Sequence, residues 1–168
     1  LELRARIMTS YTDLAQRLVR ADQRRLLRQL TGIVVLAGIE AAHRNDIPRA
    51  QGSIGLLEEL GHDSADAHMA QVVTDVGKGL QQLGIAIADV DPAAAQAVVL
   101  SLLRVERTIP RHERDLIGVI EFARANIERL VGASAKSDAG AETLDVADDK
   151  PADDDPLGLA DLWASPQD

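Results

Sequence analysis

Apolar residues recur three and four positions apart through most of residues 9–132, and this spacing limits the possible folds more than any other feature. Such spacing lines one side of an α-helix, and five separate segments show it. Aromatic residues make up only 2% of the chain, so the core must consist of Leu, Ile, Val and Ala. Short connections predict antiparallel neighbours. We therefore expect an all-α fold, an antiparallel up-and-down bundle of five or six helices over residues 9–132.

Capping residues mark several helix boundaries within this region. Asp46 with Pro48, and Asp91 with Pro92, are typical of helix starts. Gly132 stands where a glycine would end the last helix. These signals place the bundle's final boundary at residue 132.

The segment 12–44 has two possible interpretations. It forms either one long helix or two helices with a break near Asp22 or Gly32. Its apolar stripe is predicted to face the core, with the members Leu26, Leu27, Leu30, Val34, Ala37 and Ala41. No fixed repeat period is evident along the chain, so a solenoid comes second to the bundle.

Both ends of the chain differ from the bundle region. Residues 1–8 are either a non-native remnant or a frayed start, with Met8 as a possible native first residue. Residues 133–168 lose the helical periodicity and contain ten acidic residues and two lysines, a net charge of −8. A segment so poor in apolar residues cannot offset its chain entropy, and we predict a disordered acidic tail.

The tail nevertheless contains the chain's single tryptophan. Within residues 156–163, the apolar side chains that can gather on one side of a short helix are Leu157, Leu159, Leu162 and Trp163. The preceding acids, residues 153–155, favour the N-terminal end of such a helix. We predict that this segment binds another protein. The alternative is that Trp163 folds back onto the chain's own arginine-rich first helix.

Four arginines follow the helical spacing near the start of the chain and form a possible basic face. They are Arg17, Arg20, Arg24 and Arg28. Arginines in this pattern can grip phosphates. The body of the chain is close to neutral, however, and no aromatic residues interleave with the arginines, so the sequence argues against nucleic acid as a partner.

Two Glu-x-x-His motifs, Glu40 to His43 and Glu59 to His62, raise the possibility of a di-metal bundle, with Glu106 and Glu121 as further ligands. The turn near residues 44–47 would place the two motifs at heights that differ by about 10 Å, at 1.5 Å per residue. Gly61 also interrupts the second motif. No nucleophile set or phosphate-binding loop is evident either. We therefore expect no metal, no cofactor and no enzymatic activity.

The helix around Ile33–Ala42 is apolar on nearly all sides, so it must be central or must pair with a second copy, and a homodimer is possible. The lack of cysteine and of a predicted signal or membrane span favours a cytoplasmic protein. The predicted function is that of a non-catalytic adaptor or chaperone-like module that presents its tail motif to a partner. The alternatives are a metal- or small-molecule-binding bundle and an oligomeric nucleic-acid-associated assembly protein.

Overall fold

A computed structural model of the chain describes the backbone of residues 2–142 and the side chains of residues 9–133. The described chain is an all-α bundle, as predicted, and contains no strand. Its six helices are α1 (Glu2–Arg20), α2 (Arg24–His43), α3 (Ile47–Asp66), α4 (Ala70–Ala88), α5 (Pro92–Thr108) and α6 (Arg114–Glu142).

The helix boundaries differ from the expectation at both ends. Helix α1 begins at Glu2, inside the stretch predicted to be a remnant or a frayed start. Helix α6 does not end at Gly132 but continues to Glu142. Gly132 lacks the left-handed backbone conformation that a C-terminal cap requires, and the alanines around it are strong helix formers. The rest of the predicted disordered tail, residues 143–168, lies outside the described residues.

The segment 12–44 is broken, and the break lies at Asp22. Three inter-helix turns share one backbone geometry, with a left-handed residue at Asp22, Asn45 and His68, where φ is 51°, 58° and 57°. In each turn this residue donates its N–H to the carbonyl three positions back, and the next residue donates to the carbonyl five positions back, at 2.8–3.0 Å. This is the Schellman pattern, which satisfies the last carbonyls of a helix. It reverses the chain within three residues.

These turns reveal a period that the sequence analysis missed. The three left-handed residues are 23 positions apart, and the later helices start at intervals of 22. Each helix with its turn is therefore one copy of a repeated unit. The expectation of no fixed period was wrong, because the repeat is carried by backbone geometry and by a recurring glycine, while most other positions differ in residue identity.

The six helices form two layers. Helices α1, α3 and α5 contact in sequence in one layer, and α2, α4 and α6 do so in the other. Within the described chain, each helix contacts only the next helix and the next but one. Helix α4 therefore has four neighbours and α1 has two. Such nearest-neighbour packing is typical of stacked helical repeats.

Glycine at one position of the repeat lets three helices meet. Gly38, Gly61 and Gly84 are 23 residues apart and buried. A Cβ on each would lie within 2.5–3.2 Å of one side chain from the next helix and one from the helix after it: Ser53 and Leu83 for Gly38, Val76 and Val105 for Gly61, and Val98 and Ile127 for Gly84. The missing side chain thus sets the distance between the layers.

Helix α2 is also long and apolar enough to count as a candidate membrane span, with a mean hydropathy of 1.2. Its residues that face α3 and α4, among them Leu27, Val34 and Ala42, are buried inside the bundle. A core helix of a soluble bundle passes the same test, so the hydropathy of α2 alone is weak evidence of a membrane span.

The glycine contacts predict opposite effects for two Gly→Ala changes. In Gly38→Ala, the new Cβ would lie 2.8 Å from the Cβ of Ser53, which the backbone holds in place. We expect a loss of about 1–3 kcal/mol in the free energy of unfolding, as for other overpacked cores. The control is Gly55→Ala, where the Cβ would meet nothing within 4 Å. This change should add about 0.5–1 kcal/mol, the usual helix preference for Ala over Gly.

Urea unfolding followed by circular dichroism measures both variants. A Gly38→Ala protein at least as stable as the unmodified chain would show that α2 and α3 can separate without cost. That result would contradict the role assigned to the glycine positions.

Candidate functional site

The largest exposed apolar side chains of α2 lie on one side of that helix. Leu26, Ile33 and Leu36 are 45%, 55% and 68% exposed. Their spacing of seven and three residues keeps them on the side of α2 that faces away from α4. We call these three residues and the exposed Gln29 the outer face of α2.

The repeat shows why this face is unusual. The residues of α4 and α6 that correspond to Leu26 are Val72 and Leu116, and both are buried. The residues that correspond to Ile33 are Gly79 and Ala123, which are also buried. In α4 and α6 the preceding helix of the same layer covers these positions. Among the described residues no helix of that layer precedes α2, and Leu26, Ile33 and Leu36 are exposed there.

In the last two helices, charged residues occupy the glycine position of the repeat. The repeat position held by Gly38, Gly61 and Gly84 is occupied by Glu106 in α5 and Glu128 in α6. Arg124 binds both carboxylates, Nε to Glu106 at 3.5 Å and Nη1 to Glu128 at 3.1 Å. These charged groups stand where a further helix would need small and apolar residues. The two ends of the array therefore differ in chemistry.

Arginines surround the α1–α2 turn beside the open face. The predicted basic stripe does not lie on one helix, because the turn at Asp22 separates Arg17 and Arg20 on α1 from Arg24 and Arg28 on α2. The arginines are divided between two helices because the left-handed backbone at Asp22 ends α1.

Two of these arginines are paired. Arg24 Nε lies 2.8 Å from Asp22, and Arg28 Nε lies 2.5 Å from Asp75 on α4. Over the described residues, Arg17, Arg20 and the neighbouring Arg25 form no ion pair, and all three are exposed. Cationic groups are therefore exposed at this end of the molecule.

The proposed metal ligands do not come together. Glu40 pairs with Arg44 at 2.6 Å, Glu59 accepts a hydrogen bond from Thr12 at 2.7 Å, and Glu106 pairs with Arg124. Glu121 is exposed on α6. No group of three His, Cys, Asp or Glu side chains able to hold a metal occurs among the described residues.

The predicted tail contacts cannot be placed in the same way. Leu157, Leu159, Leu162 and Trp163 lie outside the described residues. Ile33–Ala42, the predicted dimer helix, is part of α2, and its exposed apolar side chains, Ile33 and Leu36, lie on the outer face.

The surroundings of Asp63, near the end of α3, disfavour its charged form. Burial raises the pKa of the Asp63 carboxyl above its ordinary value of 3.8, and the negative charges of Glu59 and Asp66 raise it further. The positive charges of His62 and Arg20 act in the opposite direction. Asp63 lies near the end of α3 and lines a small pocket with residues of α1 and α2, among them Tyr11, Ala15 and Leu30.

No protein-family model matches the chain, and neither a curated protein nor a solved structure matches it. The packing and chemistry of the molecule itself are therefore the basis for a functional conclusion.

The raised pKa of Asp63 predicts a pH-dependent stability effect. Since the folded chain binds the proton more readily than the unfolded chain, this group makes the protein less stable as the pH rises from 3.8 through the raised pKa. Asp63→Asn should therefore stabilise the protein at pH 7, and the gain should shrink below pH 4. Urea midpoints at pH 7 and pH 3.5 test this.

The exposed Asp13, replaced by Asn, serves as the control and should change neither midpoint appreciably. An Asp63→Asn protein that is less stable than the unmodified chain at pH 7 would show that the carboxylate makes a favourable contact instead.

Proposed function

We propose that this chain is a non-catalytic protein-interaction module, adaptor- or chaperone-like, which receives an amphipathic helix of a partner protein on the outer face of α2. One observation carries the proposal. Ile33 is 55% exposed, whereas the residues at the corresponding position of α4 and α6, Gly79 and Ala123, are buried, and the neighbouring Leu36 is 68% exposed. Exposed apolar surface with a polar surround is typical of interaction sites.

The array itself indicates the kind of ligand that fits. Every described helix packs against a helix two places along the chain, so a helix is the natural guest on α2. Such a guest needs an apolar stripe to cover Leu26, Ile33 and Leu36. The α2–α4 contact also indicates which charge a guest should carry, because Arg28 near the start of α2 pairs with Asp75 near the start of α4.

Near the start of α2 a guest would meet several arginines and one carboxylate, since Arg24, Arg25 and Arg28 line one depression with Gln71 and Asp75 of α4. Arg24 and Arg25 stand at the start of α2, and Arg17 and Arg20 stand at the end of α1. Acidic residues near one end of the guest would speed its association and fix its direction. The ligand class is therefore a short amphipathic helix with carboxylates near one end.

The outer face can be tested with a library of displayed helical peptides, selected against the full chain at nanomolar concentration. We expect selected peptides to share a three-and-four apolar spacing and acidic residues. The variant Ile33→Asp with Leu36→Asp should weaken their binding at least tenfold, because each charge would lie against an apolar side chain. Both residues are exposed, so folding should be unaffected.

Phe122→Asp is the matched control, since Phe122 on α6 is 66% exposed but lies far from the α2 face. It should leave the binding unchanged. Peptides that bind the Ile33→Asp, Leu36→Asp variant as well as the unmodified chain would refute the proposal. If the unmodified chain binds lipid vesicles and the Ile33→Asp, Leu36→Asp variant does not, the face binds a membrane surface instead of a helix.

A further inference from the structure

We infer that the contact between α1 and α3 is pH-sensitive: α1 separates from α3 more readily while the carboxylate of Asp63 is charged, and protonation of this carboxyl holds α1 in place. The inference goes beyond the proposed binding of a guest helix and does not depend on it. It concerns the local opening of one helix, whereas the pH effect predicted above for Asp63 concerns the unfolding of the whole chain.

Carboxylates at three other helix–helix contacts of the bundle have arginine partners. The pairs are Arg28 with Asp75, Arg104 with Glu58, and Arg124 with Glu106, at 2.5–3.5 Å. Asp63 differs from these carboxylates, because its side chain forms no hydrogen bond or ion pair with any residue that the structure describes. It is nevertheless half-buried beside α1. A carboxylate that loses water without gaining a partner is costly to keep charged.

The groups that face Asp63 come from three helices. They are Glu59, His62 and Asp66 of α3, Arg20, Tyr11, Thr12 and Ala15 of α1, and Leu30 and Val34 of α2. The hydroxyl of Thr12 is already engaged, since it donates to Glu59 at 2.7 Å. Over the described part of α1, Arg20 is therefore the group that can favour a charged Asp63, and it does so from beyond ion-pair distance.

The direction of the pH effect follows from what α1 adds to the surroundings of Asp63. Burial is the largest influence on this carboxyl and raises its pKa, whereas the attraction of Arg20 is the smallest and lowers it. When α1 separates, the carboxyl regains water on the side of Tyr11 and Ala15 and loses Arg20, while Glu59 stays beside it on α3. The pKa is therefore higher with α1 in place, because the larger of the two influences is removed on opening.

The closed form of the contact consequently binds a proton more readily than the open form. Its advantage is complete at low pH and is lost as the pH rises through the raised pKa of Asp63. At neutral pH the charged carboxylate favours separation of the two helices.

Little apolar burial opposes the opening of α1. Over the described side chains of this helix, only Ala15 is buried, and Tyr11, Leu18 and Val19 are half-buried. Burial of apolar area is the main force that holds a helix against its neighbours, so the charge of Asp63 has a comparatively large effect on α1. Opening uncovers apolar side chains of α2, among them Leu30.

Amide hydrogen exchange of the full chain tests the inference. Exchange is measured by mass spectrometry at pH 3.5 and pH 7 and divided by the intrinsic exchange rate at each pH. Peptides from residues 9–20 report the opening of α1, and peptides from α4 report unfolding of the whole bundle. We expect the protection of residues 9–20, relative to that of α4, to fall about threefold or more from pH 3.5 to pH 7.

Two variants identify the groups responsible. Asp63→Asn should raise the protection of residues 9–20 at pH 7 about threefold or more, because the buried charge is gone. Arg20→Gln should lower this protection at pH 7 but not at pH 3.5, since an uncharged carboxyl gains nothing from the arginine. In the Asp63→Asn background, Arg20→Gln should have no further effect.

Asp13→Asn is the matched control. Asp13 is an exposed carboxylate on α1 and is not among the groups that act on Asp63. This change should alter the protection of residues 9–20 at neither pH. The exchange of α4 in each variant shows that the bundle is folded.

Three results would overturn the inference. Equal protection of residues 9–20 and of α4 at both pH values would mean that α1 opens only with the whole bundle. A pH effect on residues 9–20 that persists in Asp63→Asn would assign the effect to another group. A loss of protection in Arg20→Gln that is as large at pH 3.5 as at pH 7 would mean that Arg20 holds α1 without acting through Asp63.

Discussion

The close approach of three helices at a residue without a side chain is the contact on which the rest of this structure depends. At Gly38, Gly61 and Gly84, each helix touches both of its successors within the space that one methyl group would fill. Because these glycines are one repeat apart, they hold both layers in the same register. Ala15 occupies the same position in α1, where a slightly larger residue is also buried. The sequence of small residues thus specifies the stacking as much as the large apolar residues do.

Much of this fold follows from the amino-acid sequence. The three-and-four spacing predicts five or six helices, and the structure has six. The capping residues Asp46 and Asp91 correctly mark two helix starts, since both side chains accept hydrogen bonds from the N–H three positions on. The layered order does not follow from such spacing, because periodicity within one helix says nothing about which other helix covers it. The 23-residue interval between turn residues and between glycines was the signal that could have shown it.

The exposed face of α2 was only partly predictable for the same reason. Helix α2 is apolar on nearly all sides, so its own pattern cannot distinguish the covered side from the open one. Leu26 was expected in the core stripe and lies exposed, while Thr31 is buried and donates its hydroxyl hydrogen to the carbonyl of Leu27. The four arginines were predicted to lie on one helical face, but the left-handed residue at Asp22 divides them between α1 and α2. Comparison with the buried counterparts in α4 and α6 resolves what the single helix could not.

The restriction of contacts to the nearest two helices makes the middle of the chain better protected than its ends. Helices α3 and α4, each held by four neighbours, cannot open without disturbing most of the core, whereas α1 rests on α2 and α3 alone and α6 on α4 and α5 alone. Local opening costs least where fewest contacts are lost, so amide hydrogens should exchange fastest at the α1 end and slowest in α4. The apolar face of α2 lies at that weakly protected end. A guest helix seated there would give α2 a second neighbour in its own layer besides α4, and would raise the protection of that end of the array.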